Sequence, residues 1–199
     1  MEETDKPYSL LLNFTYIFLD LTMILYHYTN LPAGVKIMQE GFIRVANEMQ
    51  NPALWFSKHE IFDPSALKMY QTDMGMRRYK SVQEQAENIG CMRFIYDNSD
   101  KNLRSWKEYG TLYGLSRQDR RRIEKSNSKE GSKTSDWFCS LEDLDINKMV
   151  ALEVWIENWV DGINREAINT AINNARKLKQ SGSKECETTK NETGSCACC

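Results

Sequence analysis

Only two histidines occur among the 199 residues, His27 and His59, too few for a zinc site built from several imidazoles. The formal net charge is -2. No global field therefore draws the chain to nucleic acid, and any such contact has to come from a local patch. Neither a Gly-x-Gly-x-x-Gly turn nor a Walker loop is present, which disfavours an ordinary Rossmann or P-loop nucleotide enzyme. No internal repeat recurs. Long apolar runs are missing as well. The best, residues 9–21, is broken by Asn13 and Asp20 and falls short of the roughly 20 apolar residues a spanning helix needs. The residues ahead of it carry Glu2, Glu3 and Asp5, the opposite of a signal peptide's basic start. The six cysteines are unevenly placed: Cys91 and Cys139 fall within the expected domain, while Cys186, Cys196, Cys198 and Cys199 crowd the end. Secreted scaffolds spread paired cysteines through the fold, so this pattern points to a reducing, cytoplasmic compartment without stable membrane insertion. The closing Cys-Ala-Cys-Cys reads as unstructured tail ahead of a metal-grasping scrap or a prenylation-like terminus.

What is present is enough for a core. Hydrophobic residues make up 41% and aromatics 11% of the chain, which suits one globular domain. We expect that domain over residues 23–180, preceded by an extension of uncertain status over 1–22 and followed by a disordered tail over 181–199 whose Ser, Gly, Lys, Glu and Thr cannot bury a core. A chain starting at Met23 would look complete. Residues 24–29 read as a strand, and Asn30 then caps a helix with Pro32 in its first turn and Gly41 at its end. Residues 42–45 and 53–57 read as strands, and Asp63-Pro64-Ser65-Ala66 as the start of a helix running through Leu67, Met69 and Tyr70. Residues 91–96 form a further strand, and 105–113 and 118–124 one helix or two. An exposed loop follows over 126–135, a strand over 149–156, and a terminal helix over 164–179.

Three places hold chemistry. In the first strand, alternation puts Leu25, His27 and Thr29 on one face and Tyr26 and Tyr28 on the other. A histidine and a hydroxyl two apart at a strand end either reach into a cleft together or form a core edge bonded to backbone. Glu153 sits mid-strand among apolar residues; there a carboxylate lines a cleft, has a partner, or faces water on a one-sided sheet. Arg117, Arg120, Arg121 and Arg122 form a basic knot, read first as a solvated helix face and second as a nucleic-acid contact.

Three fragments in this order, Leu25-Tyr26-His27-Tyr28-Thr29, Ala53-Leu54-Trp55-Phe56-Ser57 and Glu153, resemble the ADP-ribosyltransferases of the histidine–tyrosine–glutamate type, the group containing diphtheria toxin and the poly-ADP-ribose polymerases. The opening phrase is also similar to that of uncharacterised bacterial and phage proteins. The resemblance spans roughly residues 24–158. Trp55 stands where the family has tyrosine, Tyr28 where glycine is usual, and Tyr70 lies a few positions late for the second stacking tyrosine. The resemblance implies an α+β fold of two small mixed sheets around a cleft, with flanking helices. It implies a mono-ADP-ribosyltransferase of toxin-like or host-modifying type, with NAD as substrate and a macromolecular acceptor, protein ahead of nucleic acid.

Glu153 would stabilise the oxocarbenium-like state as the nicotinamide–ribose bond breaks, and His27 would orient the ribose. Main-chain groups of Tyr28 would hold the carboxamide, and Trp55 would stack on the nicotinamide, a contact worth about 1 kcal/mol beyond its area. Thr29 and Ser57 would line the same face. Arg93 would meet the pyrophosphate or else form a surface ion pair. Two alternatives remain: a non-catalytic NAD-binding or interaction module on the same scaffold, and an RNA 2′-phosphotransferase or nucleic-acid-modifying transferase.

Overall fold

A computed structural model describes residues 23–45, 51–98 and 103–163, together with Glu166, Asn169, Thr170 and Asn173. The extension over 1–22, most of the expected terminal helix and the cysteine-containing tail lie outside the described residues.

The chain opens with strand β1 (Ile24–Thr29), and Asn30 ends it by capping helix α1 (Leu31–Glu40). The Asn30 side chain accepts from Ala33 N, and Gly41 closes the helix at φ 80° with its N–H on Ile37 O. A short β2 (Phe42–Ile43) precedes β3 (Leu54–Ser57). The helix expected from Asp63 is a single 3₁₀ turn, Pro64–Ala66, which gives way to a hairpin, β4 (Met69–Thr72) and β5 (Gly75–Arg78). Gly75 at φ 109° supplies a turn conformation closed to residues with a Cβ, so the chain reverses where a helix would run on. Helix α2 (Val82–Ile89), capped by Ser81, leads into β6 (Met92–Asp97).

The second half is β7 (Arg104–Ser105), α3 (Trp106–Leu112), α4 (Arg117–Lys129), β8 (Trp137–Ser140), β9 (Leu144–Asp145), β10 (Ala151–Trp155) and β11 (Trp159–Asp161). Ser105 and Glu108 close a capping box on α3. Helix α4 takes up part of what reads in sequence as an exposed loop.

The architecture is α+β. Seven strands form one sheet in the order β11-β10-β6-β1-β3-β8-β7, rather than two mixed sheets, and every pairing among the described residues is antiparallel. The sheet nevertheless has a seam. β1 and β6 pair along six residues, whereas β1 and β3 pair only at Tyr26 and Ser57. One face of the sheet carries Leu25, Phe56, Phe94, Leu152 and Val154, against which Leu31, Val35 and Ile37 of α1 pack. The approach is close at Gly34, where a Cβ would collide with the Met92 sulfur. The other face carries Tyr26, Tyr28 and Ile95, covered by Phe62 and by Ala86 and Val82 of α2. A third cluster sits beyond the seam, with Trp55, Trp106, Tyr109 and Trp137.

Candidate functional site

Because β1 and β3 separate after one rung, side chains enter the gap between them. A cavity of about 480 Å³ lies there, lined by Tyr26, His27 and Tyr28 of β1, by residues 53–57, and by Asp63, Ser65 and Lys68 from the segment after β3. Its size falls within the roughly 300–1,000 Å³ of small-molecule sites.

His27 spans the seam. Its Nδ1 lies 2.9 Å from the carbonyl oxygen of Trp55, and its ring leans on Phe56 and Phe94. A carbonyl only accepts, so Nδ1 carries the proton. Burial pushes the imidazole down to about 4; the Trp55 bond opposes this and the charge of Lys68 adds to it. At neutral pH the ring is thus uncharged, with its tautomer fixed and Nε2 left as an acceptor. The ring is bonded to backbone, as one sequence reading had it, and it also lines a cavity, but without the Thr29 hydroxyl that the other reading placed beside it.

Trp55 lines the same cavity, with its ring wedged against Tyr109 at 4.7 Å and against Trp106 and Trp137 at 6.0 Å. The other four tryptophans each donate their indole N–H to a protein oxygen; Trp55 Nε1 has no such acceptor among the described residues. Ser57 also lines the cavity, but its hydroxyl is committed, donating to Asp63 at 2.6 Å and accepting from His59 N at 3.1 Å. Tyr28 lines the cavity too, and its ring packs on Phe62 while its phenol donates to His59 O. Burial pushes that phenol well above its ordinary pKa.

The other expected site residues are elsewhere. Across the sheet His27 faces Phe94, which faces Leu152, whereas Tyr28 faces Arg93, which faces Glu153. Cross-strand neighbours share a face, so the imidazole and the Glu153 carboxylate project from opposite faces, and Glu153 does not line the cavity. Its partner is Arg93, which binds it through Nε and Nη2. Arg93 also donates to Glu60 O and lies between the rings of Tyr26 and Trp159, 4.4 and 4.3 Å from their centroids. The arginine is in an ion pair as the second sequence reading had it, but a buried one. Thr29 is buried at the end of β1 beside Met92, and Tyr70 stacks on Tyr79 at 4.5 Å in the hairpin; neither lines the cavity.

Two residues that sequence alone does not single out are central here. Asp63 is 2% exposed and takes five donors: Ser65 N, Ser65 Oγ and Ser132 Oγ on Oδ1, and Ser57 Oγ and Trp137 Nε1 on Oδ2. Burial raises its pKa, but the bonds from Ser132, Ser57 and Ser65 outweigh that, and it ends below the ordinary value. In sequence Asp63 signals only the start of a helix, because Ser132 and Trp137 lie about seventy residues away. The second residue is Lys68, whose pKa burial lowers. Nothing in its neighbours along the chain marks it as part of a cavity wall.

The arginine knot is on α4. Arg117, Arg121 and Arg122 are exposed, Arg122 pairs with Asp119, and Arg120 binds Leu115 O. No helix among the described residues is long and apolar enough to cross a membrane. Comparison with protein-family models, with curated proteins and with solved structures returns no match.

Proposed function

We propose that this chain is an NAD-binding module on an ADP-ribosyltransferase-like scaffold, holding the nicotinamide end of the dinucleotide in the cavity along the β1–β3 seam. The observation that carries it is a division of labour among side chains. A neutral imidazole with an acceptor nitrogen and an indole with an uncommitted N–H line one cavity from opposite faces of the sheet, meeting across the β1–β3 seam, while the carboxylate that the transfer chemistry needs is bound to an arginine outside the cavity. His27 Nε2 would accept from a ribose hydroxyl. Trp55 would offer its ring edge and N–H to the nicotinamide carboxamide, beside the backbone of Tyr28. None of these groups supplies negative charge to a developing oxocarbenium ion, and Asp63, the carboxylate in the cavity wall, has both oxygens taken by five donors, so binding without turnover is the expected behaviour.

Calorimetry with NAD tests this directly. Saturable binding that His27→Ala weakens at least tenfold, with no nicotinamide released over hours, supports the reading; absence of binding ends it.

A second reading keeps mono-ADP-ribosyl transfer to a macromolecular acceptor. Two observations favour it: the strand of Glu153 is separated from that of His27 by β6 alone, and the Glu153 side chain keeps 24% of its surface open. Labelled NAD incubated with a cell lysate would then mark protein or nucleic acid, and Glu153→Gln would abolish the label. Label that persists in Glu153→Gln removes the glutamate from the chemistry.

A further inference from the structure

The cavity holds one cation that nothing compensates. Lys68 is fixed by its backbone on both sides: its N–H donates to Gln85 Oε1 at 2.7 Å, and its carbonyl accepts from Tyr79 N at 3.2 Å. Its side chain is half-buried and its charge is felt at both His27 and Cys91. No carboxylate pairs with it among the described residues. The acid nearest in the cavity wall, Asp63, has both oxygens filled by five donors. The other cation in the wall, Arg44, is already paired with Glu40 and Asp143. A lysine at the cavity wall with no counter-charge leaves a positive field there, which favours the entry of an anion.

We propose that Lys68 is the phosphate anchor of this cavity, so that its ligand is a phosphorylated nucleoside and not an uncharged nucleoside or sugar. The inference rests on the cavity being a ligand site and specifies the chemistry of what it takes. A lysine ammonium is a point charge suited to phosphate oxygens from any approach. Among the uncommitted groups of the wall, His27 Nε2 and Trp55 Nε1 are one acceptor and one donor, suited to the neutral hydroxyls and amide of the same molecule.

The test compares nicotinamide mononucleotide with nicotinamide riboside, which differ by the 5′-phosphate, on the wild-type chain, Lys68→Met and Lys68→Arg. The wild type is expected to prefer the mononucleotide at least tenfold. Lys68→Met should erase that preference while leaving riboside affinity unchanged, and Lys68→Arg should retain most of it. Equal affinity for the two ligands in the wild type, or a preference that survives in Lys68→Met, overturns the proposal while the NAD-binding reading stands.

If neither nicotinamide compound binds, that reading fails, and inorganic pyrophosphate decides Lys68 alone. Binding lost in Lys68→Met supports the anchor, and no binding refutes it. Thermal unfolding supplies the control for folding. An unpaired, half-buried lysine contributes no ion pair to the fold, so Lys68→Met should not lower the ligand-free Tm, and a fall in Tm counts against the proposal.

Discussion

At the scale of single residues, His27 makes acid stability measurable. Its folded pKa of about 4 lies below the ordinary 6.5, so between those values the unfolded chain binds more protons than the folded one. The stability is full above pH 6.5 and is lost as pH falls toward 4. At roughly 1.4 kcal/mol per unit the loss is on the order of 3 kcal/mol. Urea unfolding at pH 7 and pH 4.5 should show it, and His27→Gln should flatten the curve over that interval; an unchanged slope would mean the ring is already solvated.

Asp63 acts in a separate window. Its pKa is depressed, so its contribution is present above 3.8 and disappears only as pH falls through its lower folded value. Its geometry gives a sharper prediction. Serine hydroxyls can turn to accept, but Trp137 N–H on one oxygen and Ser65 N–H on the other cannot. Whichever oxygen becomes NH₂ in Asp63→Asn, one rigid donor faces it, at a cost of about 2–3 kcal/mol in unfolding free energy. Residues of this kind are invisible in sequence because their partners arrive from far along the chain. The seam residues His27, Trp55 and Ser57 were legible because strand alternation and the motif order are local properties. Glu153 was legible as an anomaly among apolar residues, but the arginine that explains it lies sixty positions earlier.

At the scale of elements, the segment between β3 and the 3₁₀ turn behaves as a strap. Three successive carbonyls, of His59, Glu60 and Ile61, accept from Tyr28, Arg93 and Trp159 of the sheet. The next two residues are Phe62, packed on Tyr28, and Asp63 with its five donors. Glu153 contributes by holding Arg93 in place. Glu153→Gln keeps an oxygen for Arg93 and loses the charge, so a destabilisation of about 1–2 kcal/mol is expected. Hydrogen exchange should rise first at the amides of residues 59–63, because the released arginine no longer fixes the Glu60 carbonyl. Unchanged exchange there would show that the ion pair serves the sheet alone. The strap is also why the expected helix at Asp63 stops after one turn. The carboxylate that caps its one turn through Ser65 N is also held by Ser132 and Trp137, and Thr72 and Gly75 then turn the chain into a hairpin. Helix ends set by local caps, as at Asn30, Pro32 and Gly41, were legible; an end set by distant donors was not.

At the scale of the whole molecule, the seam divides the sheet into β11-β10-β6-β1 and β3-β8-β7, joined by one rung at Tyr26 and Ser57 and by the His27 bond to Trp55. The strap crosses this division. Its carbonyls hold to Tyr28, Arg93 and Trp159 on the first part, and Asp63 holds to Ser57, Ser132 and Trp137 beside the second. An attachment at one end links the two parts only while the other end is attached. Asp63→Asn and Glu153→Gln should therefore be non-additive even though the two side chains do not touch. Once either end is loosened, the second substitution removes a link that no longer spans the seam, and the double variant should be more stable than the sum of the single losses predicts, by about 1 kcal/mol. Independent sites usually add within about 0.3–0.5 kcal/mol, so the two outcomes can be resolved by urea unfolding of the four proteins at pH 7. A coupling near zero would mean that the two parts of the sheet are held together by the Tyr26–Ser57 rung and the His27 bond without the strap, and that the cavity between them keeps its shape when the strap is cut.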